Sequence, residues 1–241
     1  MPFSHGKSTA IYLGAFNLSP YLNSVDLSSE ADTADTTTFA ATWKSSLLGP
    51  AGGSVEFGGF YDPAEASVPT LFNTLLPGVL TYCPAGGATI GTRARLVSAL
   101  EINYAESVPV GGVVAIKGSF ETIDIIGFGD VLHPLAKDTD TTVGAEKDDA
   151  AATATGWTAH LHVTAVTAGT WTVKLEDAAA SGGPYADVAG GAFTGVTAGA
   201  SQRLQSAAGA ALRRYIRYTA TRAGGAATDG ITFVLAYARN R

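Results

Sequence analysis

The sequence is poor in cysteine, methionine, charge and long apolar runs. Of 241 residues one is cysteine and one methionine. A lone Cys83 excludes an intramolecular disulfide framework and any multi-cysteine metal site, and it suits a small buried hydrophobe. Charged residues make up 15%, against roughly 25% in an ordinary soluble domain. Part of the surface is therefore uncharged Thr, Ser, Ala and Gly, a composition that favours self-association or a permanent partner. No apolar stretch approaches the roughly 18 residues that a membrane-crossing helix needs. The chain begins with Ser4, His5, Lys7 and Ser8 ahead of any apolar run, without the basic, apolar, small-residue order of a secretory signal. The expectation is a soluble protein that begins where its gene begins.

Signatures of catalysis and cofactor binding are also scarce. Gly6-Lys7-Ser8-Thr9 looks like the end of a phosphate-binding loop, but the required first glycine would fall on Met1 and no strand precedes it, so the nest of backbone donors is missing. Gly127-Phe128-Gly129 lacks the third glycine and following helix of a dinucleotide fingerprint, and no Gly-x-Ser-x-Gly elbow occurs. The acids Asp138, Asp140, Glu146, Asp148 and Asp149 suggest calcium, but an EF-hand frame from Asp138 puts Val143 where the turn needs glycine. His160 and His162 share a strand face and could reach one metal, yet no further cluster accompanies them, and solvent-side polar positions are the expectation. His5 is terminal and His133 precedes Pro134 near a turn. The reading is a non-enzyme with no cofactor and no metal.

What is present is alternation. Trp157, Ala159, Leu161, Val163 and Ala165 alternate with Thr158, His160, His162 and Thr164; Trp171, Val173 and Leu175 repeat the pattern, and Ile231, Phe233, Leu235 and Tyr237 close it. Gly182-Gly183, Gly190-Gly191 and Gly224-Gly225 mark turns between strands, so residues 156–241 read as a small antiparallel β-sandwich. Upstream, strands are expected over 8–13, 54–61, 96–104 and 113–125, the last two forming a hairpin. One helix is expected near 63–76, with Asp62 as N-cap, Pro63 at its first position, Glu65 completing a capping box and Pro77-Gly78 ending it. Pro69 splits off its first turn. The fold class is mainly β (α+β).

Charge is unevenly distributed. Residues 1–155 hold seven Lys and Arg against seventeen Asp and Glu, a net of −10, whereas residues 156–241 hold eight against four, a net of +4. This division suggests two domains, 1–136 and 156–241, joined by an acidic, threonine-rich linker at 137–155. A long, weakly periodic loop is expected from 17 to 38, carrying Asp26, Glu30, Asp32 and Asp35. Arg213, Arg214 and Arg217, interleaved with Tyr215 and Tyr218, could suggest nucleic acid, but their alternation fits a sandwich strand with snorkelling side chains that make surface or subunit salt bridges. Trp43 reads as a packing anchor.

The segment from Thr36 to Asp62, TTTFAATWKSSLLGPAGGSVEFGGFYD, has a Thr-Thr-Phe step, a basic connector, a Leu-Gly turn and a strand ending Gly-Phe-Tyr-Asp. With GSFETID at Gly118 to Asp124 and VKLEDA at Val173 to Ala178, it resembles the major tail tube proteins of long-tailed, siphovirus-like bacteriophages. The resemblance covers nearly the whole chain through loose patterns. It implies a tail-tube-type β-barrel or sandwich domain with one packed helix, and a second sandwich displayed outside the tube. It also implies stacked homohexameric rings whose channel conducts DNA without binding it, and a virion location after synthesis in the host cytoplasm. Tail-tip initiator, tape-measure and terminator proteins are the implied partners, and the 17–38 loop is the implied inter-ring contact. An acidic lining would repel phosphate, since each facing cation adds attraction by counterion release. Glu56, Glu101 and Glu121 are the candidate lumen acids. The alternatives are a carbohydrate-binding or adhesive sandwich using Trp157, Trp171, Tyr185 and Tyr215, or another virion protein of the capsid or decoration type.

Overall fold

Period-two alternation organises nearly every element of the computed structural model, which describes residues 6–62, 77–226 and 228–240. Among these residues there is one 3-10 turn, Gly6–Ser8, and sixteen strands. In chain order the first eight are β1 (Ala10–Leu13), β2 (Phe16–Asn17), β3 (Leu22–Asp35), β4 (Ser46–Phe60), β5 (Pro77–Cys83), β6 (Arg93–Ser107), β7 (Ala115–Thr122) and β8 (Gly127–Thr139). The others are β9 (Thr142–Val143), β10 (Lys147–Asp148), β11 (Trp157–Val166), β12 (Thr170–Ala178), β13 (Ala186–Ala192), β14 (Ala200–Gln205), β15 (Tyr215–Ala223) and β16 (Gly230–Arg239). The fold is mainly β, as the alternation requires. The helix expected near 63–76 lies outside the described residues.

The chain divides into two compact units. The first comprises Met1–Pro20, Gly78–Val97 and Gly127–Arg241. Its larger sheet runs in the order β14-β11-β16-β8-β6-β5-β1-β2, and its smaller sheet runs β10-β15-β12-β13 with β9 beside β15. The two sheets enclose a core in which Trp157, Leu161, Trp171, Leu175, Ile216 and Phe233 are all fully buried. These are the apolar faces of β11, β12, β15 and β16, so the sandwich expected downstream of residue 156 is present. It extends further than expected, because β16 pairs along its length with β8, from Gly230↔Thr139 to Tyr237↔Asp130.

Three expectations are corrected in this unit. Residues 137–155 are not a linker: β8 runs through Thr139, and β9 and β10 pair with β15 through Thr219↔Val143 and Lys147↔Ile216. Composition suggested disorder, but these acids have cationic partners. Asp148 receives Arg214 Nε at 2.6 Å, and Asp149 receives Arg239 Nε at 2.6 Å. The boundary expected between 1–136 and 156–241 is therefore not where the contacts divide. Last, His160 and His162 are fully buried rather than on the solvent side. The larger sheet curls until the second face of β11 meets β5, placing Thr81 Oγ1 3.1 Å from His160 Nδ1 and 2.8 Å from His162 Nε2.

The second unit comprises Tyr21–Pro77 and Ser98–Ile126. It is an antiparallel sheet in the order β3-β4-β7-β6, using the later part of β6. The loop expected over 17–38 is in fact mostly strand: β3 pairs with β4 from Leu22↔Gly59 to Asp35↔Ser46. Its outer half presents no apolar alternation because it is exposed on both faces, which removes the signal that sequence reading depends on.

Candidate assembly interface

The two faces of the second unit's sheet differ sharply. Registers Val55↔Phe120 and Phe57↔Gly118 put Val55, Phe57, Ile116 and Phe120 on one face, and all four are buried. The Phe57 and Phe120 rings meet edge to face with centroids 5.4 Å apart. The opposite face carries Asp26↔Glu56↔Ser119 and Ser28↔Ser54↔Glu121 in register. Ser28 and Ser54 share a hydrogen bond of 2.9 Å between their hydroxyls. Glu30, opposite Gly52, extends this face, which has Lys117 as its cation on the paired strands. Asp26, Glu30, Glu56 and Glu121 are all exposed.

Glu101 does not join them. Glu101 stands opposite Phe120, on the apolar face that Ala99 shares, where it is 4% exposed. The expectation that Glu101 shares an outward face with Glu56 and Glu121 is thus corrected. Period-two alternation from the buried Ala99 carries Glu101 inward, and the register shift that follows, between Glu101 and Asn103, changes only the residues beyond it.

Beyond Ser54↔Glu121 the sheet narrows to two strands, because residues 46–51 of β4 pair with β3 alone among the described residues. This ribbon ends in the turn 36–45, closed by Thr36 N donating to Ser45 O at 2.8 Å and Ser45 N donating to Thr37 Oγ1 at 3.0 Å. Asp35 accepts from Thr37 N at 2.8 Å, and hydrogen bonds from the Thr37 side chain and backbone hold its carboxyl below the usual range. Asp32 is exposed on the same ribbon. Phe39, Trp43, Leu47 and Leu48 are also exposed, Trp43 at 85%. Trp43 is therefore no packing anchor within this chain. Four large apolar side chains on a ribbon with no third strand among the described residues form an unsatisfied surface, since an isolated two-stranded ribbon is marginal in water. No apolar periodicity marks them in the sequence; the one available signal is a pair of large hydrophobes, Phe39 and Trp43, set among threonines.

The remaining candidates lie elsewhere, all in the first unit, and are internally engaged. Arg213 Nε donates to Asp177 at 2.6 Å, Arg214 grips Asp148 with two bonds of 2.6 and 2.7 Å, and Arg217 Nε donates to Glu176 at 2.8 Å. The Arg217 guanidinium also lies 3.8 Å above the centroid of the Tyr185 ring. Trp157 and Trp171 are at most 1% exposed, so neither offers a ring for sugar stacking. The acids of 138–149 have separate partners, Asp138 accepting from Tyr218 OH at 3.0 Å and Asp148 from Arg214. No group of three or more potential metal ligands occurs among the described residues, and none of their helices is long and apolar enough to cross a membrane.

No family model matches the chain, and no curated protein does. Solved structures similar to it include a chain in the virion of a native gene transfer agent particle, at 12% identity and TM-score 0.42, covering 52% of this chain and 98% of that one. A chain of an extracellular contractile injection system's sheath-tube complex is similar at 12% identity and TM-score 0.44, covering 54% and 93% respectively. The Dit protein of SPP1, described as a paradigm of hub adsorption apparatus in phages infecting Gram-positive bacteria, is similar at 12% identity and TM-score 0.35 over 95% of this chain and 98% of its own.

Proposed function

We propose that this chain is a structural virion protein, a tail tube subunit that assembles through its second unit into stacked, six-membered rings. The observation that carries the reading is the β3–β4 ribbon. It is a long two-stranded projection with an exposed apolar tip, on a sheet with one buried and one acidic face. Within that unit β3 and β6 are the border strands, and β3 pairs only with β4 among the described residues. A long unpaired edge is a template for another chain, and head-to-tail pairing of such edges closes into a ring when the rotation permits. The apolar tip reaches the next ring. The acidic face lines the channel, with Asp26, Glu30, Glu56 and Glu121 repelling the phosphates of passing DNA.

The resemblance in the sequence supports this reading and supplies its partners: a tail-tip initiator, a tape-measure protein and a terminator. The adhesive alternative has lost Trp157 and Trp171 to the core and keeps only Tyr185 and Tyr215. The test is negative-stain electron microscopy with light scattering on concentrated, purified protein, beside a Phe39→Asp/Trp43→Asp variant. Hollow tubes or six-subunit rings from the wild type, and loss of stacking in the variant, are expected. Closed shells, or identical assembly by the variant, overturn the assignment.

A further inference from the structure

The first unit holds one polar cluster deep in apolar surroundings that no assembly role uses. Thr81, His160 and His162 are each 0% exposed. They join three segments remote in the sequence: the β1–β2 turn, β5 and β11. His162 Nδ1 lies 2.8 Å from the carbonyl oxygen of Gly14, and His160 Nδ1 lies 3.2 Å from that of Leu80. A carbonyl only accepts, so both rings carry their proton on Nδ1. His162 Nε2 is then an acceptor, and Thr81 Oγ1–H at 2.8 Å donates to it. The Thr81 oxygen in turn faces His160 Nδ1–H at 3.1 Å. The hydrogen bonds run in one direction, from His160 through Thr81 to His162 and on to Gly14. Gly14 closes the β1–β2 turn at φ 60°, a conformation for which glycine is the default.

This arrangement is complete only while both imidazoles are neutral. A proton added to His162 Nε2 would face the Thr81 hydroxyl hydrogen, and one added to His160 Nε2 would enter a buried site with no hydrogen-bond partner. Among the described residues no carboxylate compensates. The ionisable groups around the pair are Tyr12 from β1, whose ring lies 5.9 Å from His162, Cys83 from β5, and Arg203 from β14 opposite His160 in register; Arg95 from β6 bears on Cys83. Burial pushes the Tyr12 hydroxyl and the Cys83 thiol up to about 12, so both stay neutral in acid. Arg203 adds a like charge. Burial first, and in His160 also the neighbouring ring and Arg203, lower both histidines, His162 to about 4.

We infer that Thr81, His160 and His162 form an acid-released latch that fastens the β1–β2 hairpin and β5 to β11, and that protonation lets these segments separate while the sandwich core persists. The sign follows from linkage. The closed state refuses protons that the open state binds near the free imidazole value of about 6.5, so the latch holds above that pH and weakens as pH falls below it. Each histidine makes opening up to about fifty-fold easier between pH 6.5 and about 4.5, because the open form is half protonated at the first pH and gains roughly ten-fold per unit well below it. The latch stands on the first unit alone and does not depend on tube assembly.

Cys83 reports the opening directly. It is the chain's single cysteine, two residues from Thr81 on the same strand face, and is 0% exposed. Labelling of the full-length protein with 4,4′-dithiodipyridine, normalised to a free thiol peptide at each pH, should accelerate at least a hundred-fold from pH 6.5 to 4.5. The fluorescence of Trp157 and Trp171 should stay constant over the same range. A H160Q/H162Q variant, which keeps donors and acceptors but cannot take a proton, should lose the acceleration. Equal acceleration in the variant overturns the latch, as does tryptophan fluorescence that changes in step with labelling. Nitrogen NMR of the wild-type rings gives an answer even if the variant does not fold. Two neutral rings with Nδ1 protonated at pH 6 are expected, and titration of either ring near 6.5 refutes the proposal.

Discussion

At the scale of single residues, the first unit's stability depends on buried charge that is fully paired. Asp149, with a side chain 9% exposed, accepts from Tyr237 OH at 2.7 Å and Arg239 Nε at 2.6 Å, and it also pairs with Lys147. Burial alone would raise its pKa; the hydrogen bonds from Lys147, Tyr237 and Arg239 outweigh burial and hold the carboxyl below its usual value. Asp149→Asn leaves two cations facing a neutral amide and should cost about 3–5 kcal/mol at neutral pH. The contribution is present above the unfolded value near 3.9 and is lost as pH falls through the lowered native value. Denaturant midpoints measured against pH should therefore converge for wild type and variant in strong acid; a gap that persists there refutes the assignment. Gly129 gives a second test. A Cβ on it would clash with the carbonyl oxygen of Tyr237, a backbone atom of the paired strand β16. Gly129→Ala should separate β8 from β16 and destabilise the protein by about 1–3 kcal/mol or more, read as a lower thermal midpoint.

At the scale of elements, legibility followed burial. Strands with one apolar face in the sandwich core, such as β11, β12 and β16, could be read from Trp157, Trp171 and Phe233, because water exclusion from that face writes period two into the sequence. Strands exposed on both faces could not: the outer half of β3, with Glu30, Asp32 and Asp35, looks the same as a loop. The segment 137–155 failed for a different reason. Its acids are neutralised by Arg214 and Arg239, residues too distant in sequence for local composition to reveal. The same pairing makes deletion of 156–241 a poor test of modularity, since it strips β16 from β8 and exposes Val131 and Leu132. The ribbon allows a cleaner one. Replacing 36–45 with a short Asn-Gly turn removes Phe39 and Trp43 while leaving Ser54↔Glu121 and the inner sheet intact. This variant should keep the wild-type thermal midpoint as a monomer and lose assembly; loss of both would make the tip part of the fold.

At the scale of the whole molecule, the charge imbalance between the two halves of the sequence has two origins. Part of it pairs internally, where basic side chains from the last third meet Asp148 and Asp149. Four further acids, Asp26, Glu30, Glu56 and Glu121, are exposed on one face of the second unit. Like charges in register on that face oppose the pairing of β3 with β4 at Asp26↔Glu56. A function explains its presence if DNA must pass without adhering. Replacing Glu56 and Glu121 together by lysine would give each subunit two phosphate contacts, without touching Val55, Phe57 or Phe120. Each added contact steepens the dependence of binding on salt by about 0.9 in the logarithmic slope. Assemblies of the E56K/E121K variant should therefore retain double-stranded DNA at low salt and release it steeply as salt rises, whereas wild-type assemblies should not retain it at any salt. Retention measured by co-sedimentation decides the matter, and wild-type assemblies that hold DNA as firmly as the variant would show that this face does not line the channel.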